Sequence, residues 1–321
     1  MPGSLARLKN MHKTIAILSL LVLVFTTACG GGGGSSSVNN PPTPGASSSS
    51  GQRDRIIVVV MENQNYSSVM GSAAAPYMTG LAQRGGSLEN FFANTHPSIG
   101  NYFMMTTGQI VTNDSSFNNV VTADNLVRRM VADGRTWRVY AESLPNPGYI
   151  GGDAGPYVKH HNPFAYFSDV ANDPAQQQNI VPFSQLGADL NSNRLPDFSF
   201  VIPNNFSNMH DCPPGLLTCT NDQKVSYGDT WLRNNIDPLL NSAALPSNTV
   251  LTIVFDEAGT DNANGGGKIV GIFAGPRARP GFGSFTFYQM QDLLGMFCRG
   301  LALSGCPGEG ASAKNMAEML R

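Results

Sequence analysis

The chain of 321 residues reads as an α/β protein, a three-layer α/β/α sandwich around a mostly parallel sheet. Three observations lead there. Short β-branched runs alternate with helix-length segments, the pattern of parallel strands joined by crossover helices. Two runs, Arg55–Met61 and Val250–Phe255, are continuously apolar, as expected of strands covered on both faces. Polar residues follow directly at the ends of these runs, and ligands of parallel sheets bind beyond the carboxyl ends of strands.

Taken in order, residues 1–29 form a targeting segment. Arg7, Lys9 and Lys13 precede an apolar stretch from Ile15 to Phe25 that is short for a bilayer span and suits a signal peptide. Thr26-Thr27-Ala28-Cys29 then resembles a bacterial lipobox, in which Cys29 carries lipid. Residues 30–53 are rich in Gly, Ser, Asn and Pro and read as a flexible tether that lifts residues 54–321, one large domain, off a membrane. The chain is therefore expected to be exported, as a lipoprotein on a membrane surface or as a secreted protein.

Within the domain the strand runs are Arg55–Met61, Trp137–Tyr140, Phe198–Ile202, Val250–Phe255 and Ile269–Phe273. Helix-length segments span Ala75–Arg84, Ala123–Asp133 and Thr230–Leu240. Cys212 with Cys219, and Cys298 with Cys306, bracket short segments and are expected to pair as two local disulfides in an oxidising compartment. Lys+Arg number 20 and Asp+Glu 22, so the chain lacks the basic stripe of a nucleic-acid binder, and none is expected as a partner.

The segment Thr95-His96-Pro97-Ser98-Ile99-Gly100-Asn101-Tyr102 carries the most chemistry. It places a hydroxyl, Ser98, at the first turn of an apolar helix, where unpaired backbone N–H groups favour anions. Ser98 also suits plain helix capping. Thr95 competes as a nucleophile, but it precedes Pro97 and so falls in the extended approach to the helix.

Carboxylates follow two strand runs: Glu62-Asn63 the first, Asp256-Glu257 the fourth. Acidic groups brought to one sheet edge repel unless a cation or a proton intervenes, and a divalent metal is the economical reading. His96, His160, His161 and His210 each lie beside one of these segments, and of the adjacent pair His161 is the functional candidate.

Together these segments resemble the phosphoesterase family that includes acid phosphatases and phospholipase C-type enzymes, within the alkaline-phosphatase-like superfamily. The resemblance rests on Val59-Val60-Met61-Glu62-Asn63-Gln64-Asn65-Tyr66, Thr95 to Tyr102, Lys159-His160-His161-Asn162-Pro163-Phe164, Pro203-Asn204-Asn205 with Met209-His210-Asp211-Cys212, Gly228-Asp229-Thr230-Trp231-Leu232, and Phe255-Asp256-Glu257, in the family's order. It implies an alkaline-phosphatase-like fold and a metal-dependent phosphate ester hydrolase. In that reading Glu62, Asn63, Asp256, Glu257 and Ser98 hold the metal, and Ser98 attacks phosphorus to form a phosphoserine. Asn63, Asn101, His161 and His210 contact the phosphate, and Asp211 orients His210. The implied partner is a small phosphate ester or a phospholipid head group.

Two departures bear on the metal count. Gly265-Gly266-Gly267 is followed by Lys268, and Tyr288 is flanked by Phe287 and Gln289, where relatives carry histidines. Lys268 is a phosphate contact but a poor metal ligand, so one metal site is expected rather than two. Gly100 stands where Pro is usual. Phosphomonoester cleavage is the leading reading. A phosphodiesterase or phospholipase C, and a non-catalytic phosphate-binding surface lipoprotein, are the alternatives. A sulfatase relative fits poorly, because no Cys/Ser-x-Pro-x-Arg context is present.

Overall fold

The run Arg55–Met61 (β1) is buried along its length apart from Arg55, because strands lie on both its flanks and helices on both its faces. The computed structural model describes residues 53–321. The signal peptide, Cys29 and nearly all of the tether lie outside them. The other strands are Gly86–Leu88 (β2), Trp137–Ala141 (β3), Ile180–Pro182 (β4), Phe198–Ile202 (β5), Thr249–Phe255 (β6), Gly271–Ala274 (β7) and Phe282–Ser284 (β8). They form one eight-stranded sheet in the order β4-β3-β5-β1-β6-β7-β2-β8. Every neighbouring pair is parallel except β6–β7 and β7–β2, so β7 alone runs against the rest. This is the mostly parallel α/β sheet expected from the alternation of runs.

The register that matters pairs Met61 of β1 with Phe255 of β6. Both strands run the same way, so Glu62-Asn63 and Asp256-Glu257 leave the sheet side by side at its carboxyl edge. The helix Ser98–Thr107 is buried at every position, and its end is set by Gly108 in the left-handed region at φ 69°. Its apolar run Tyr102-Phe103-Met104-Met105 joins the core, which fixes Ser98 relative to that edge.

One helix expectation shifts. Pro76–Arg84 forms as read from the sequence. The segment expected at Thr230–Leu240 is two helices, Asn221–Asn235 and Asp237–Leu240. The first begins earlier because Thr220 and Gln223 form a capping box, which stabilises a polar first turn that has no apolar periodicity. The second begins afresh at Asp237 because Pro238 has no N–H to continue the first. The Gly228-Asp229 pair serves this packing. Asp229 is buried and accepts the N–H groups of Tyr77 (3.0 Å) and Met78 (2.8 Å), the first turn of the neighbouring helix. Gly228 leaves the space that the Met209 side chain fills.

Both expected disulfides are present, Cys212–Cys219 and Cys298–Cys306, each with Cα atoms 5.6 Å apart. Strands β2, β4 and β8 are three residues each and were not legible as runs.

Candidate active site

Ser98 is the first residue of its helix, preceded by Pro97 in extended backbone. Its Oγ faces two carboxylates, Glu62 Oε2 at 3.1 Å and Glu257 Oε1 at 3.3 Å. A hydroxyl has one proton to donate, so it satisfies one of them at a time. Glu62 is fully buried. Its Oε1 accepts the Tyr102 hydroxyl at 2.5 Å, and its Oε2 also accepts Asn63 Nδ2 at 3.1 Å. Tyr102 lies one turn after Ser98, so a single helix face carries both the hydroxyl and the group that holds its carboxylate.

Asp256 Oδ1 accepts the Asn63 backbone N–H at 3.2 Å, while its Oδ2 is buried with no hydrogen-bond partner among the described residues. Burial, with the neighbouring Asp256 charge, raises the Glu62 carboxyl well above the usual carboxylate range. Burial also raises Asp256. Burial and then the Asp256 charge push Glu257 up to about 8.

The crowding has a testable consequence. In chelator, the folded chain binds protons at these carboxyls more tightly than the unfolded chain does. Its unfolding free energy is therefore expected to fall as pH rises from the ordinary carboxylate range toward about 8. Urea titrations at several pH values check this. A stability that climbs across that window contradicts the crowding.

Three close carboxyls with an orphaned oxygen suit a hard divalent cation. Among the described residues no group of three or more His, Cys, Asp and Glu side chains is placed to hold a metal ion by itself. The donor set is acidic oxygen with an amide and a hydroxyl, and it fits the expected metal by its chemistry.

His161 is buried. Its ring stacks on Tyr102 with centroids 5.3 Å apart, and Nε2 stands 3.2 Å from Glu62 Oε1, off the line of a hydrogen bond. Burial, reinforced by His160, holds the His161 imidazole well below its usual range. His210 is exposed, with Nδ1 2.7 Å from Asp211 Oδ1, which leaves Nε2 free. Asn63 and His210 border a groove of about 550 Å³.

Two expected phosphate contacts have protein partners in this structure. Asn101 is fully buried and its amide is taken by the backbone. Oδ1 accepts the N–H groups of Asn94 (2.9 Å) and Thr95 (3.2 Å), and Nδ2 donates to Thr95 O at 2.8 Å. It positions the approach to Ser98. Lys268 stands over the Tyr66 ring, its Nζ 4.0 Å from the centroid, a cation–π partner. Thr95 donates to His96 O and accepts from Asn113, as suits an extended approach. Gly265 and Gly266 lie against the Asn94 and Thr95 carbonyls, where a Cβ has no room. Gly100 packs under Asn113 and Thr95, which leave no room for a Cβ.

His96 and Tyr102 were in the quoted motif without a role. His96 Nδ1 lies 2.8 Å from Glu257 Oε2 and Nε2 3.1 Å from Asp261 O. It ties the second carboxylate to the loop beyond β6. The hint available in the sequence was only proximity to Ser98.

The Phosphoesterase family matches residues 63–283. A phosphatidylinositol-3-phosphatase of Mycobacterium tuberculosis is 31% identical over 222 residues, 68% of this chain and 68% of that protein. An acid phosphatase of Aspergillus fumigatus is 30% identical over 250 residues, 73% of this chain and 52% of that protein. The chain thus spans about half the length of that fungal relative. In fold, a protein of the alkaline phosphatase superfamily from Vibrio parahaemolyticus superposes with a TM-score of 0.55 at 14% identity, covering 79% of this chain and 67% of that one. With the match covering well over half of its length, the chain belongs to the Phosphoesterase family.

Proposed function

We propose that this protein hydrolyses phosphate monoesters, with Ser98 as the nucleophile. The observation that carries the reading is the Ser98 hydroxyl at a helix start, facing Glu62 and Glu257 at the carboxyl edge of two central strands. The family and the phosphatase relatives support phosphate ester hydrolysis as the reaction class. Ser98 Oγ forms a bond to phosphorus as the ester oxygen departs, and its proton passes to a facing carboxylate. The helix N-terminus favours the negative phosphoryl group. His210, oriented by Asp211, presents Nε2 toward the groove and meets a phosphoryl oxygen or the departing oxygen. His161, buried against Tyr102 with Nε2 3.2 Å from Glu62 Oε1, is the further phosphate contact that the family resemblance implies. Water then attacks the phosphoserine and regenerates the hydroxyl.

Glu62, Asn63, Asp256, Glu257 and Ser98 would hold one divalent metal. When bound, such an ion supplies Lewis-acid stabilisation of phosphoryl charge and favours the serine alkoxide. The test is a panel of p-nitrophenyl phosphate and bis(p-nitrophenyl) phosphate, with and without chelator. Hydrolysis of the monoester at least about tenfold faster, lost in chelator and restored by a divalent ion, is the expected result. Faster diester cleavage places the protein with phosphodiesterases or phospholipase C. Phosphate binding without turnover places it with non-catalytic phosphate binders.

We also propose export and membrane attachment through Cys29, ahead of the tether. Support comes from the sequence of residues 1–29 and from two disulfides that suit an oxidising compartment. Cys29→Ser is expected to move the protein from the membrane fraction to the soluble fraction. Unchanged partitioning contradicts the anchor.

A further inference from the structure

Leu216 and Leu217 stand exposed side by side, Leu217 wholly so, in the loop that Cys212–Cys219 closes. The loop follows β5 at its carboxyl end and is bracketed by His210 and Asn221, which border the same groove as Asn63. The disulfide and Pro213-Pro214 stiffen it, so the pair has little freedom to fold back onto the core. Phe285, 79% exposed, follows β8 directly, and its carbonyl accepts Asn90 Nδ2 at 3.2 Å. It too stands at the carboxyl edge, because β8 runs parallel to β2 and in the same direction as β1. Ile110 is exposed beside the first turn of the nucleophile helix, its Cγ2 3.3 Å from where a Cβ on Gly100 would sit.

Seven large hydrophobic side chains are exposed among the described residues, and these four of them rim one edge of the sheet. In the sheet order β5 and β8 are separated by β1, β6, β7 and β2, five strand spacings or about 24 Å. The strands that carry the carboxylates, β1 and β6, lie between them. The apolar side chains therefore stand on both sides of the site. Single exposed apolar residues need no partner, but a set that rims a site marks an interaction surface. A pocket on a protein partner collects such groups into one patch. Groups spread this far apart around a site match a continuous apolar phase instead. Basic and acidic groups are mixed at this edge, as Lys224 on His210 O and Asp211 on His210 Nδ1 show, so the attraction is apolar and a zwitterionic surface suffices.

We propose that this edge docks on a phospholipid bilayer, with Leu216, Leu217, Ile110 and Phe285 entering the headgroup layer around the site. The inference rests on the anchor reading above for its geometry. Residues 30–53 span up to about 80 Å of extended chain, against about 23 Å for β1, so an anchored domain can turn its carboxyl edge to the bilayer.

The test is quenching of tryptophan emission by vesicles of brominated phosphatidylcholine. Trp137 and Trp231 are buried and give a constant background, so a third Trp reports its own position. In the full chain, Leu217→Trp and Phe285→Trp are each expected to lose about half or more of the added emission, as suits a side chain in the interface, with no change in added salt. Val131→Trp, exposed at the opposite edge ahead of β3, is expected to lose at least about fivefold less. Adding Leu216→Ser and Leu217→Ser to Phe285→Trp is expected to raise the lipid needed for half-quenching by about tenfold or more, because the two loops dock as one face. Quenching at 131 equal to that at 217 and 285, none at those two, or no effect of the serines overturns the docking. A dimer that the serines abolish, with its tryptophans shielded from the lipid, overturns it in favour of a second copy of the chain. The anchor reading fails separately, if Cys29→Ser leaves partitioning unchanged while the pattern of quenching persists. The phosphatase reading also fails separately, if p-nitrophenyl phosphate is not turned over by a chain that still docks.

Discussion

Ser98→Ala is expected to lower kcat on p-nitrophenyl phosphate by at least about 10⁴-fold, with the fold retained. The size follows from what the hydroxyl does: without it no phosphoserine forms, and no neighbour replaces it. Thr95 is the nearest alternative in sequence, yet its hydroxyl is tied to His96 O and to Asn113. The structural cost is small. Glu62 keeps the Tyr102 hydroxyl and the Asn63 amide, and Glu257 keeps His96. Stability is expected to change by about 1 kcal/mol or less, the net worth of one such hydrogen bond. Steady-state kinetics and thermal melts of the same preparation read both. An active variant would remove Ser98 from the reaction.

Glu62→Gln is expected to separate activity from stability. Turnover falls by about 10²–10³-fold, because the substitution removes a charged oxygen from the centre of the cluster. In chelator, however, the variant is expected to be more stable than the wild-type chain by about 1–2 kcal/mol. Glu62 is fully buried, and burial and the Asp256 charge disfavour its ionised form. A neutral amide of the same shape relieves both while still accepting from Tyr102. The thermal upshift that a divalent ion gives the wild-type protein shrinks or vanishes in the variant, since ligand-linked stabilisation follows affinity. Melting curves with and without the ion measure this. A variant with an undiminished upshift would place the ion elsewhere.

Much of this arrangement was legible in the sequence because it depends on long, unambiguous features. β1 and β6 are seven-residue strands made mostly of apolar residues, and the polar residues after them could only emerge at one edge once the strands were parallel neighbours. The nucleophile helix is apolar through Tyr102-Phe103-Met104-Met105, which marked its burial. The rest turned on side-chain orientation, about which spacing is silent. Asn101 lies where a phosphate contact is reasonable, but its amide folds back onto Asn94 and Thr95. Lys268 follows the glycine run, yet Tyr66 offers its ring as a nearer partner. Tyr102 looked like core because it is core; its hydroxyl reaches Glu62 only through the helix's placement against the sheet edge. The three-residue strands are held by their neighbours in the sheet and have no periodicity of their own to read.

The central claim is that a buried serine hydroxyl, set against carboxylates at the ends of β1 and β6, takes the phosphoryl group. Acid quenching of the protein during turnover of p-nitrophenyl phosphate, followed by peptide mass mapping, examines it most directly. The expected result is one added phosphoryl group on the peptide containing Ser98, absent from Ser98→Ala. Steady turnover with that peptide unmodified at every quench time, or the same label on another residue, would contradict it.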